Sequence, residues 1–205
     1  MRKGEKTKQI IVEAAARLFD RYDFEEVSVD DIVEAAGVAK GTFYIYFESK
    51  DTLIASYITD YVSKVDADYK AHIDSLPPDM PVGDMLLSLI AKIADVLIDT
   101  IGCHKMNIVY KAQLAGTVST DAVKGYNRKL YQLFADLLKM GIERGEFKTD
   151  IPVEIMTNHF VTAIRGISFE WCIRYPDYDL KEEALIHFGI LLGGITEKNS
   201  DVLLV

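Results

Sequence analysis

Eight consecutive residues, Lys40-Gly-Thr-Phe-Tyr-Ile-Tyr-Phe47, carry the side chains best suited to chemistry on a nucleic acid. One ammonium, one alcohol and two phenols can donate to phosphate or base-edge oxygens, and a glycine lets a backbone come close. At helical spacing Phe43 and Phe47 lie four apart on one side and should pack inward. Lys40, Thr42, Ile45 and Tyr46 then fall on other sides and can reach out. Upstream, Ser28 followed by Asp31 has the spacing of a capping box, with Asp shorter than the usual Glu or Gln. Ile32, Val33 and Ala36 face a core, and Gly37 stands where a left-handed turn residue is wanted. Two short helices joined by a tight glycine turn over residues 28–47 form the layout of a helix-turn-helix DNA reader.

Other chemistries find little support. No local motif reinforces a Ser/His/Asp or Cys/His set, no glycine loop cradles phosphate, and the four histidines lack metal spacing. The expectation is a protein with no catalytic residues, no metal and no cofactor. Two cysteines, Cys103 and Cys172, read as small buried hydrophobes in a reduced, cytoplasmic setting.

These residues need elements to position them. The chain of 205 residues has net charge −9, shared unevenly: −2 over the first 50 residues and −7 over the rest. Arg2, Lys3, Lys6 and Lys8 face only Glu5, so a basic arm precedes the helix-turn-helix. Phosphate binding needs only such a local patch, because its field acts over about a Debye length.

Helical periodicity runs through almost the whole sequence. Ile11, Ala14, Ala15, Leu18, Phe19 and Tyr22 make one apolar stripe. Ser49 reads as the cap of a helix running through Leu53, Tyr57 and Tyr61, and Leu76-Pro-Pro-Asp-Met-Pro81 is a helix-stopping loop. Further helices are expected over 83–101, 104–114, 120–144, 151–174 and 180–198, with Asp150 capping the fourth of these. Met85 to Ile101, the most apolar stretch, is interrupted by Lys92, Asp95 and Asp99, so no membrane span is expected. The fold class is all-α, with about nine helices.

Residues 10–53 resemble the DNA-binding domain of the TetR family of transcriptional regulators. The resemblance rests on Ala14-Ala-Ala-Arg-Leu-Phe19, Ser28-Val-Asp-Asp-Ile32, Ala35-Ala-Gly-Val38, Lys40 to Phe47, and Ser49-Lys-Asp-Thr-Leu53. It implies a DNA-binding domain over 4–64, a three-helix head, and a larger helical effector-binding and dimerisation domain over 65–205. It further implies DNA contact by Ser28, Lys40, Gly41, Thr42, Tyr44, Tyr46 and Lys50, with Lys50 on a phosphate. Three positions depart from the family pattern: Ala39 stands where Ser often caps, Asp23 replaces a frequent Gly, and Asp30 and Asp31 bring acids close to DNA.

The resemblance implies a homodimer on a near-palindromic double-stranded operator, paired through the last two helices and released by a small-molecule effector. Polar or aromatic residues inside apolar helices are the candidate effector contacts: Tyr110, Gln113, Tyr126, His159, Phe169 and Trp171. Gly166, Gly189, Gly193 and Gly194 suggest close helix approach, with Ile155, Ile167, Leu185, Phe188 and Leu192 around them. The expected function is a ligand-responsive regulator, a repressor. The alternative is a structural or recruiting DNA-binding factor of the same fold with no small-molecule switch.

Overall fold

Helices account for the regular structure of the described residues, as the periodicity of the sequence leads one to expect. The computed structural model describes residues 3–19, 21–22, 26–116, 125, 128–148 and 150–196. Among these, nine α-helices follow one another: α1 (Lys3–Phe19), α2 (Val29–Ala36), α3 (Lys40–Tyr46), α4 (Lys50–Asp74), α5 (Val82–Asp95), α6 (Gly102–Ala115), α7 (Lys129–Glu143), α8 (Val153–Arg174) and α9 (Leu180–Ile195). A π-helical segment, Val96–Ile101, joins α5 to α6. No strand occurs among the described residues, and no described helix is long and apolar enough to cross a membrane.

Several boundaries differ from the sequence expectation. Helix α1 begins at Lys3, so Lys6 and Lys8 project from a helix and not from a loose arm, while Arg2 lies outside the described residues. The same helix ends at Phe19, where the N–H groups of Arg21 and Tyr22 both turn back to the Leu18 carbonyl. Tyr22 therefore leaves the apolar stripe and is 51 % exposed. Asp23 lies outside the described residues. Helix α8 takes Pro152, not Asp150, as its cap position, and α9 is capped by Asp179, whose carboxylate accepts the Glu182 N–H at 3.0 Å.

The chain forms two compact units, residues 1–64 with 104–125, and residues 65–103 with 126–205. The first unit is thus larger than the expected head over 4–64. Val109 of α6 packs on the same core as α1 to α4. That core is built from Ile11, Ala15 and Phe19, Ile32 and Val33, Phe43 and Phe47, and Leu53, Ile54 and Ile58, one apolar face from each helix.

In the second unit α5 packs on α7 and α9, and α8 on α7 and α9. Phe134, Phe160 and Phe188 tie α7, α8 and α9 together, with ring centroids 6.0 and 5.3 Å apart along the series. Cys103 donates its thiol to the Cys172 carbonyl, and burial pushes the Cys172 thiol up to about 12, so it stays protonated and inert.

Helix α7 begins at Lys129 and not at Thr120, since Arg128 is already extended backbone; residues 117–124 lie outside the described set. Its own sequence supplies no cap. Asp66 of α4 supplies one, accepting the Leu130 N–H at 3.2 Å and the Arg128 guanidinium at 2.7 to 3.1 Å. Burial opposes the charge of Arg128, but the hydrogen bonds and charge of Asp66 outweigh it and hold the guanidinium above its ordinary value. Asp66 is only 4 % exposed, so removing it strands a buried cation and the α7 terminus together. Asp66→Ala should destabilise the protein by about 3–5 kcal/mol in urea unfolding. A loss under about 1 kcal/mol would mean that this pair is solvated.

Candidate nucleic-acid interface

The approach to the reading helix is set by local hydrogen bonds. Ser28 caps α2 with a closed capping box: its Oγ accepts the Asp31 N–H at 3.1 Å, while Asp31 accepts the Ser28 N–H at 2.8 Å and its hydroxyl at 2.6 Å. The shorter Asp closes the box as Glu would. Those donors hold the Asp31 carboxyl below the usual carboxylate range. Gly37 then ends α2 in the left-handed region at φ 66°, its N–H and that of Val38 returning to the last turn. Only a residue free at positive φ turns the chain so tightly into α3.

Helix α3 has seven residues and an uncapped start, Ala39, whose backbone is extended at φ −71° and ψ 148°. Phe43 is fully buried and Phe47 is 4 % exposed, so both anchor α3 in the head core. Lys8 places its ammonium 5.4 Å from the Phe47 ring centre. Tyr44 is 51 % exposed and stands edge-on to Phe43. Thr42 is half-buried, and Gly41 has open space around the position of a side chain. Tyr46 is half-buried against the core, with its hydroxyl beside Gly4 of α1. It is thus shared between packing and surface.

One acid near this helix, Asp30, is paired with a cation. Lys40 bridges α3 to α2 through Asp30 at 2.8 Å, and that hydrogen bond raises the Lys40 pKa. Lys50 donates from its ammonium to the Val27 carbonyl at 2.8 Å, tying the start of α4 to the residue before α2. Ser49 and Thr52 form a second reciprocal cap, Thr52 Oγ1 accepting the Ser49 N–H at 2.8 Å and Ser49 Oγ the Thr52 N–H at 3.2 Å. Sequence reasoning found Ser49 but missed Thr52, although the three-residue step repeats that of Ser28 and Asp31.

The candidate effector residues fall on different elements. Tyr110 and Gln113 are half-buried on α6, in the first unit. Tyr126 lies outside the described residues. On α8, His159 and Phe169 are exposed, whereas Trp171 is 4 % exposed and edge-on to Tyr175. Two residues apart, Phe169 and Trp171 point about 200° apart around a helix and cannot line one cavity. A groove of about 530 Å3 lies instead in the head, among Leu18, Tyr22, Val27, Ala35 and the acids Glu26, Asp31 and Glu34.

Residues 11–57 match the family of bacterial regulatory proteins described as the tetR family. Over 194 residues the chain is 21 % identical to the transcriptional repressor KstR2 of Mycolicibacterium smegmatis, covering 93 % of this chain and 91 % of that one. FadR of Bacillus subtilis, solved with stearoyl-CoA, superimposes with TM-score 0.72 at 22 % identity, over 91 % of this chain and 98 % of that one. FadR of Thermus thermophilus, solved with lauroyl-CoA, gives TM-score 0.69 at 20 % identity, over 97 % and 100 %. The fold is therefore shared over nearly the full length.

The backbone at Ala39 already has the extended geometry of a cap position, lacking only an acceptor. Ala39→Ser should stabilise the head by about 1 kcal/mol in thermal unfolding. A neutral or negative change would mean that the entry to α3 is not a competent cap.

Proposed function

We propose that this chain, which belongs to the TetR family of transcriptional regulators, is a cytoplasmic homodimeric repressor released from its operator by a small-molecule effector. The observation that carries the reading is the construction of α3. Its aromatic side is anchored in the head core, while Gly41 and Tyr44 face solvent on a helix set by a capped α2 and a glycine turn. Such a helix enters a major groove with side chains directed at base edges and phosphates. Lys40, Thr42, Tyr44, Tyr46 and Lys50 are the contacts we assign, with Ser28 setting the first helix across the backbone.

Dimerisation is supported by a largely apolar seam. Ile155, His159, Thr162, Gly166, Phe169 and Ile173 recur at steps of four and three along α8, and all are exposed. On α9 Ile186 is 53 % and Ile190 71 % exposed, with Gly189, Gly193 and Gly194 beside them in open space. The seam differs from the one expected from sequence. Ile167, Phe188 and Leu192 are buried in the subunit's own core, and the outward residues are these isoleucines and Phe169. A second copy related by a two-fold axis presents the same patch and buries both.

An effector that binds more tightly to a conformer with mis-spaced heads shifts the population away from DNA. Acyl-CoA thioesters are the effector class we propose, supported by the ligands held in the two FadR structures. In fluorescence anisotropy on a selected duplex, lauroyl-CoA should release the wild-type chain. Tyr44→Ala and Lys50→Ala should weaken binding across sequences, and Lys50→Ala should also lower the salt slope by about one. Unchanged affinity in both variants would overturn the DNA assignment. Unchanged affinity with lauroyl-CoA would overturn the effector class. Separately, Ile190→Glu should convert the dimer to a folded monomer in light scattering, and a dimer that survives it would move the interface elsewhere.

A further inference from the structure

We propose that Ile45 reads the 5-methyl group of a thymine, and that the reading face of α3 selects A·T pairs by apolar contact. This inference rests on the DNA-binding reading above. Ile45 is 76 % exposed, a β-branched hydrophobe on the surface of a seven-residue helix. At about 100° per residue it stands opposite the midpoint of Phe43 and Phe47, at the crest of the face turned from the core. Gly41, one turn earlier, lies on the same crest and carries no side chain there. The crest is therefore one pair of methyl-bearing branches beside a bare stretch of backbone.

Its neighbours decide what that crest can recognise. The helix, Lys-Gly-Thr-Phe-Tyr-Ile-Tyr, has no Arg, Asn or Gln, the side chains that pair in a bidentate way with guanine or adenine. Its one cation, Lys40, pairs with Asp30 at 2.8 Å and stands at the first residue of the helix, more than about 100° around from the crest. Thr42 flanks the crest, and its hydroxyl suits either base edge. Across the major groove the one apolar edge group is the thymine methyl, so an isoleucine at the crest has a single favourable partner there. Burying it removes apolar surface of both molecules from water.

The experiment uses the full-length chain. Duplexes are selected from a random pool, and each thymine of the selected half-site is replaced in turn by deoxyuridine, which removes the methyl alone. Wild-type affinity should fall roughly 3–10-fold at one thymine per half-site. Ile45→Ala, an exposed substitution, should bind thymine and deoxyuridine duplexes equally at that position while keeping the wild-type melting temperature. If every deoxyuridine is silent for the wild type, or if the methyl effect persists undiminished in Ile45→Ala, the assignment of Ile45 is wrong. If the pool enriches no sequence at all, the DNA-reading assignment of α3 fails first and Ile45 with it.

Discussion

Burial of Phe43 and Phe47 is the constraint on which the rest of the head depends. Helix α3 has seven residues and no side-chain cap, well below the length at which a helix is stable alone in water. Two rings in the core, each contributing roughly 1.5–3 kcal/mol of burial, supply what local structure cannot. They also fix the rotation of the helix. Once 43 and 47 face inward, Gly41, Tyr44 and Ile45 must face outward, and the reading face is set by the packing face. The turn at Gly37 and the tie from Lys50 to the Val27 carbonyl then fix where that face sits.

An acidic chain can present such a face where local cations offset the acids beside it. Asp30 is matched by Lys40, and Asp31 is bound by the hydroxyl and N–H of Ser28. Both sit within helix α2; the Lys40 ammonium offsets the charge of Asp30, whereas the neutral donors of Ser28 orient Asp31 and leave it ionised. Lys6 and Lys8, placed on the first turns of α1, add positive charge that net composition hides. What governs phosphate approach is charge within about 10 Å, not the total of −9.

Local interactions were the ones legible in the sequence. The capping box at Ser28, the left-handed Gly37, the cap at Ser49 and the missing cap at Ala39 each involve residues within three of one another, so spacing alone exposes them. Long-range caps were not. The N–H of Leu130 is capped by Asp66, and that of Val82 by Glu146 at 2.6 Å, each partner 64 residues away. Spacing could not point to either, and the start of α7 was misplaced for that reason. Nor does hydrophobicity say which apolar side of α8 meets its own subunit. Trp171 and Phe169 look alike in sequence, yet one is in the core and the other on the exposed seam.

On the function proposed above, the two units carry separate tasks, recognition by α3 in the first and pairing by α8 and α9 in the second. A two-fold axis through the proposed seam would make two reading heads from one sequence and call for a near-palindromic operator. The most direct measurement is a crystal structure of the chain on its selected duplex. It should hold α3 of each subunit in successive major grooves about 34 Å apart, with the Gly41 and Ile45 crest against base edges. DNA contacted through another surface, with α3 facing solvent, would contradict the account.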